Sequence, residues 1–397
     1  MKRVWKTGLA AFAVCGLLAA VPMTAFADTE PATEPEALYT EDGMFRYGFD
    51  ASGNVNIYDF VMSDTFEGEL VIPAQIDGKD VVYIGNGALA DAKGVTSVTL
   101  PATVEGFGKS VFMGCSALET FVVDGEGSIF VDEIGVLYSE NGTMLECFPP
   151  ALTETSYAVP ETVLEIAPSA FLTCASLEAV TLPESLTHID AWAFAHSGLK
   201  EITLPDSLIQ IDDYAFAYCT SLHNVTFGEN LQSIYGAAFA ECRALQEITL
   251  PEKLEIIEQY AFCGTSLKSV TIPDSVTQIG YCAFGYDSNM NPISGFTLYG
   301  TPYSMAQTYC TASDSENDYQ NQFNYVAIDE NGDPLPTEVT EPSQEQADAT
   351  ETTPSGSADP EKKDTVKTGI VVAGCAVIAA LGAVLVVLLS KKPKTKK

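Results

Sequence analysis

Apolar and polar positions between residues 177 and 284 repeat with a period in the low twenties. One unit reads Leu199-Lys-Glu-Ile-Thr-Leu-Pro205, then Leu208-x-x-Ile211, then Ala215-Phe216-x-x-Cys219-x-x-Leu222. The Phe returns at 171, 194, 216, 239, 262 and 284, spaced by 22 or 23, and the Pro at 160, 183, 205, 251 and 273, with Gly228 substituting once. Alternation in Leu199-x-x-Ile202-x-Leu204 predicts a short strand with apolar side chains inward and Glu201 and Thr203 outward. A unit this short cannot bury its apolar face alone, so the period predicts stacked coils. The expected fold is a repeat solenoid, mostly β with short helical turns, capped at both ends.

The flanks supply the caps of a solenoid domain spanning residues 38–330. Residues 44–47 and 55–58, split by Ser52-Gly53, read as a hairpin. Residues 69–73 and 81–84, around Asp77-Gly78, read as a first degenerate repeat with Ala88-Leu89 in the Ala-Phe place. An N-terminal cap is needed because an open end exposes core and unpaired strand edges. Phe112 and Phe171 stand 59 residues apart, 36 more than one period. The excess holds Asn141-Gly142 between two apolar runs, which predicts a two-residue hairpin, an insertion near 122–157 bulging from one coil. Residues 296–299, a helix from Pro302 behind Thr301 as N-cap, and residues 323–328 would form the C-terminal cap.

Outside the solenoid, residues 1–27 read as a secretory signal peptide: Lys2, Arg3 and Lys6, an apolar run, then Ala25-Phe26-Ala27. Residues 28–37 form an acidic linker. Residues 331–367, dominated by Pro, Thr, Glu and Ser, are too polar to fold and read as a disordered stalk. The uncharged run 369–390 would span roughly 33 Å as a helix, enough to cross a bilayer. This gives a transmembrane helix at 368–390 and a Lys-rich tail at 391–397, whose charge favours the cytoplasmic side. Thr365-Val-Lys-Thr-Gly369 lacks the Leu and Pro of a wall-sorting signal, so retention in the membrane is expected.

Charge narrows the partner class. All 54 acidic residues lie between 28 and 367, against 11 Lys and Arg there, a formal charge of −43. Such a surface repels nucleic acid and anionic lipid, and attracts cationic partners in a salt-dependent way.

The phrases Ile-Thr-Leu-Pro-Asp-Ser-Leu-x-x-Ile (202–211) and Ala-Phe-Ala-Tyr-Cys-Thr-Ser-Leu (215–222) resemble leucine-rich repeats of the BspA type. Residues 71–79 and 135–143 are similar to segments common in that family, and the resemblance covers about 40–328. The Asn-ladder place of commoner leucine-rich repeats holds Ser185, Ser207, Asn230, Lys253 or Ser275, so that ladder is not assumed. The resemblance implies a solenoid on a bacterial surface used for attachment or protein recognition, with no shared catalytic residues.

Candidate chemistry lies in the columns that stacked strands create. Thr99, Thr181, Thr203, Thr226, Thr249 and Thr271 form a nearly uniform outward column, which suits a scaffold. Its neighbour varies, Ala179, Glu201, Asn224, Glu247 and Ser269, and variation can encode specificity. The expected partner-binding residues are Glu201, Asn224 and Glu247 flanked by Thr203, Thr226 and Thr249, the two glutamates about 10 Å apart and facing one basic patch. A competing aromatic row, Trp192, Tyr214 and Tyr260, either packs between coils or serves as a sugar platform or protein hot spot.

Cys115, Cys174, Cys219 and Cys242 share one slot. Parallel side chains bridge poorly, so buried packing is favoured over disulfides, and the absence of Cys-x-x-Cys argues against zinc. His188, His196 and His223 occupy different variable slots and read as exposed filler. Acids after the Pro slot (Glu161, Glu184, Asp206, Glu229, Glu252, Asp274) suggest a calcium row, but Pro-acid pairs are ordinary turns and the turn is favoured. Asn141-Gly-Thr and Asn224-Val-Thr match glycosylation sequons, yet read as a turn and a strand. No catalytic, metal or cofactor-binding residue is expected. The expected function is non-enzymatic: a single-pass cell-surface protein binding a protein or glycan. The alternatives are a surface hydrolase using acidic pairs and a structural envelope component without a discrete ligand.

Overall fold

The computed structural model describes residues 38–314 and 319–336. The signal peptide, the linker up to residue 37, most of the stalk, and the helix at 368–390 with its tail lie outside the described residues. Among the described residues no helix is long and apolar enough to cross a membrane.

Each regular coil contributes two short parallel strands. The Ile-Thr-Leu segment gives Ala179–Thr181, Glu201–Thr203 and Asn224–Thr226. The Leu-x-x-Ile segment gives Glu165–Ile166, His188–Ile189, Gln210–Ile211, Ser233–Ile234, Ile256–Ile257 and Gln278–Ile279. Partners sit at the same repeat position one coil on, as in Thr203↔Thr226 and Ile211↔Ile234. The second series belongs to one sheet of nine strands, whereas the first is split between separate sheets. β-Branched Ile, Val and Thr fit these pleated surfaces.

Phenylalanine fills the centre. Successive rings from Phe171 to Phe284 stack with centroids 4.7, 5.0, 5.1, 5.2 and 4.9 Å apart and planes within 8° of parallel. All six are fully buried. The stack spacing matches the strand spacing of about 4.8 Å, so rings and ladders advance in step.

The expected helical turns are absent from the repeats; the described helices are Met305–Cys310 and a single 3-10 turn, Glu140–Gly142. Instead, residues two before and two after each Phe from 171 to 262 are left-handed, as in Trp192 and His196 (φ 63° and 57°) and Tyr214 and Tyr218 (φ 58° and 61°). Alternate N–H groups consequently point along the stack. Those of Trp192, Phe194 and His196 donate to the carbonyls of Asp213, Ala215 and Ala217 in the next coil. Those of Ala193, Ala195 and Ser197 close turns within their own coil. A helix would satisfy its N–H groups internally and leave nothing for the neighbour. Each left-handed non-glycine costs roughly 1–2 kcal/mol, which full pairing of a buried backbone offsets.

The cysteines follow the same logic. Thiols of Cys115, Cys219 and Cys242 donate to the carbonyls of Leu89, Phe194 and Phe216, one coil back, at 3.1, 3.0 and 3.1 Å. All eight cysteines between 115 and 310 are buried and free. Burial pushes the Cys219 thiol up to about 11 and Cys115 to about 12.

The insertion does not bulge. Leu137–Ser139 and Met144–Cys147 pair antiparallel across a four-residue loop in which Asn141 is left-handed (φ 58°), so the two-residue turn is corrected to a longer one. Met144–Cys147 also pairs parallel with Glu165–Ile166, placing it in the nine-stranded sheet. Phe148 then joins the ring stack, 5.4 Å from Phe171. The hairpin forms a wall between two cores: Val136, Tyr138 and Leu145 pack into one, Leu137 and Cys147 into the other. Alternation separates Val136 and Tyr138 from Leu137, and a bulge, which sets Leu137 opposite Cys147 but Tyr138 opposite Leu145, turns Leu145 and Cys147 to opposite cores.

The N-terminal hairpin forms from Phe45–Phe49 and Val55–Phe60, and continues in parallel into Lys79–Ile84. At the other end Thr297–Gly300 and Asn324–Ala327 extend the last coil. The capping helix starts later than expected, at Met305 with Ser304 as N-cap. Thr301 instead donates to Asp274 at 2.5 Å.

Truncating Phe239 to Ala should cost roughly 3–5 kcal/mol and loosen neighbouring coils before the caps, as read by urea melting with hydrogen exchange. An unchanged midpoint would contradict the central stack. The eight solenoid thiols should resist a thiol reagent at pH 8 in native buffer and all react in denaturant; fast reaction of Cys219 in the folded protein would count against its burial.

Candidate functional site: the strand face

Glu201, Thr203, Asn224 and Thr226 project outward from adjacent parallel strands, with Glu201 registered on Asn224 and Thr203 on Thr226. The intervening Ile202 and Val225 are 3% and 6% exposed, which fixes the outward side chains in two columns. Ser156–Ala158 and Ala179–Thr181 continue these columns toward the hairpin. Beside Glu201, Lys200 pairs with Glu178 one coil back at 2.7 Å, so the face is mixed in charge.

The face ends sooner than expected. Residues 246–250 form no strand, and the next outward strand, Ser269–Thr271, pairs with the C-terminal cap instead. Glu247 and Thr249 are exposed, but they lie outside the sheet that carries Glu201 and Asn224. The break follows Phe227, which takes the place Leu204 and Leu250 hold elsewhere. Its ring is half-buried and edge-on to Phe239 at 5.7 Å. The adjacent coil departs from the repeat at two neighbouring positions, a phenylalanine in the leucine slot and Gly228 in the proline slot.

Of the aromatic row, Trp192 and Tyr214 stack at 4.3 Å with planes 8° apart, whereas Tyr260 meets Tyr281 edge-on at 5.3 Å. Ala237 occupies the slot between Tyr214 and Tyr260, so the row is interrupted. All three aromatics are half-buried in contacts between coils. His196 is not exposed filler: it stacks on Tyr218 at 4.6 Å, and burial lowers its pKa. His188 and His223 are exposed. Of the turn acids, Asp206 accepts from the Glu229 N–H of the following coil at 2.7 Å, and Asp274 accepts from Thr301. Among the described residues no group of three or more His, Cys, Asp and Glu is disposed to hold a metal ion.

A family model described as the BspA type leucine rich repeat region matches residues 60–133 and 164–291 in six copies, just over half of the chain. The chain belongs to the BspA-type leucine-rich repeat family. Similar solved structures include a leucine-rich repeat protein from Eubacterium ventriosum, 19% identical with a TM-score of 0.42, over 61% of this chain and 92% of that one. A leucine rich cell surface protein from Faecalibacterium prausnitzii is 24% identical with a TM-score of 0.36, over 74% and 96%. The pneumococcal vaccine antigen PcpA is 18% identical with a TM-score of 0.46, over 66% and 68%. No curated protein matches the chain.

The other side of this BspA-type solenoid, along the nine-stranded sheet, carries acids that the repeat register brings together. Burial, and then a hydrogen bond with Glu165, holds the Asp190 carboxyl well above the usual range; His188 and Lys109 oppose this weakly. Burial and then Asp190 raise Asp212. Glu146, bonded to Ser139 Oγ, is pushed up to about 7 by burial, with Glu140, Glu165 and Asp190 adding to the rise. Sequence register aligns these acids, but only the fold reveals that they are enclosed. In the folded state they hold protons that the unfolded chain releases. Their stabilising contribution is therefore full below the ordinary carboxylate range and is lost as pH rises from 4.5 through about 7. The melting midpoint should fall between pH 5 and 8, with Glu146 alone contributing at most about 3 kcal/mol. Glu146→Gln should flatten the slope; an unaltered slope would remove Glu146 from the account.

Proposed function

We propose that this protein is a non-enzymatic cell-surface protein whose solenoid binds a macromolecular partner, protein or glycan, through the strand face. The supporting observation is the pair of exposed columns, Glu201–Asn224 and Thr203–Thr226, seated on buried Ile202 and Val225. Side chains fixed this way lose little freedom on binding, which favours recognition without a pocket. Glu247 and Thr249 extend the surface as exposed residues of the next coil. On this reading the signal at 1–27 exports the chain, and the run at 369–390 holds it in the membrane behind the stalk. The cell-surface protein from Faecalibacterium prausnitzii is in keeping with that location.

Saturable binding of the purified protein to arrayed proteins and glycans identifies a partner. Glu201→Lys with Glu247→Lys should then weaken its binding about tenfold and reduce the salt dependence without lowering the melting midpoint. If Trp192→Ala with Tyr214→Ala abolishes binding while the lysine pair leaves it intact, the site is the aromatic row.

A further inference from the structure

The phrase Glu-Ile-Thr-Leu-Pro occurs twice, at 201–205 and at 247–251. The first copy is a strand registered on Asn224–Thr226, with the Leu204 N–H donating to the Thr226 carbonyl at 2.9 Å. In the second copy, among the described residues, no N–H or carbonyl from Glu247 to Leu250 makes a backbone hydrogen bond. Ile248 is half-buried where Ile202 is 3% exposed, and Leu250, only 5% exposed, leaves its N–H unpaired. Unpaired backbone groups beside a core are rare. Identical phrases share one local preference, so the neighbouring coils decide between the two outcomes.

The core beneath the second copy is continuous. Phe216, Phe239 and Phe262 stack at 5.1 and 5.2 Å, and Ser233 registers on Ile256, so the coils themselves keep their spacing. Strands at the same repeat position stand on both sides, Asn224–Thr226 before and Ser269–Thr271 after. What differs is the step at 227–228. A Cβ on Gly228 would lie 2.3 Å from the Pro205 carbonyl oxygen, so this backbone approaches the preceding coil more closely than the proline of the regular phrase could. Phe227 sets a ring, edge-on to Phe239 at 5.7 Å, where Leu204 and Leu250 set a smaller side chain. Together they seat the chain toward the coil before and away from the coil after.

We infer that residues 246–250 form a strap, held open by Phe227 and Gly228 and poised to close as a strand between Asn224–Thr226 and Ser269–Thr271. Closed, it joins the four-stranded and three-stranded sheets and brings Glu247 and Thr249 into the columns of Glu201 and Thr203. Open, it parts the outer face in two. The strap thereby sets how far the face extends, a consequence that rests on the strand-face reading, whereas the strap itself does not. Hydrogen exchange on the full chain without any partner tests it, so its failure leaves that reading standing. The Leu204 and Leu250 amides both lie between Thr and Pro, and exchange alike when unprotected. In the native protein Leu250 should exchange at least about a hundredfold faster than Leu204; equal rates overturn the open state. Phe227→Leu with Gly228→Pro, which writes the regular phrase, should slow Leu250 at least about tenfold without slowing Leu204. A folded variant with Leu250 unchanged overturns the inference. Should that pair fail to fold, the converse pair decides: Leu204→Phe with Pro205→Gly should open the same gap one coil earlier and speed exchange at position 204 relative to Ile272. Retained protection at position 204 overturns the inference.

Discussion

Every coil of this protein is completed by the next one, and the rest of the structure depends on that contact. Phe rings stack at 4.7 to 5.2 Å along the array, strands register residue on residue, and alternate N–H groups of the Ala-Phe turn reach the following coil. Three kinds of contact share one spacing because each is fixed by the same strand separation. Left-handed Trp192, Tyr214 and Tyr260 are tolerated because right-handed turns would aim those N–H groups back into their own coil. The thiol of Cys219 donates to the Phe194 carbonyl for the same reason: the interior contains carbonyls with no strand partner.

A structure built this way is strong along its axis and sensitive where the repeat changes. The hairpin at Leu137–Cys147 is one such place, a wall with a core on either side. Phe227 marks another, where a large ring in a leucine slot accompanies the loss of the outward strand at 246–250. Continuity is kept there by the nine-stranded sheet, which passes from Ser233–Ile234 to Ile256–Ile257 without interruption. The two strand series thus divide the work: one holds the coils in register, and the other is freer to vary and present side chains.

That division explains where recognition chemistry sits. Glu201 and Asn224 stand on the interrupted face, where exchange of an outward residue leaves the stack untouched. Acids on the continuous sheet, Asp190 and Asp212, are partly enclosed, which raises both carboxyls above the usual range, so they bear on stability more than on binding.

The sequence alone determined the period, the inward residues and the family, because a repeat writes the same physical requirement several times. Phe216, Ile202 and Leu222 were legible as core for that reason, and so were the caps at 44–58 and 296–328 in outline. Singular features were not legible. Phe148 occupies the Phe column, but Glu146-Cys147-Phe148-Pro149 carries no Ala-Phe signature, so one coil looked like a bulge. Left-handed turns were hidden because Trp, Tyr and Ala, which hold several of these positions, are not residues that announce positive φ. Glu247 and Thr249 kept the pattern of a strand and lost the strand itself, since pairing depends on the neighbouring coil as well as on local sequence. Tertiary structure decided what contacts between non-repeating residues decide: the wall between two cores and the enclosure of Glu146.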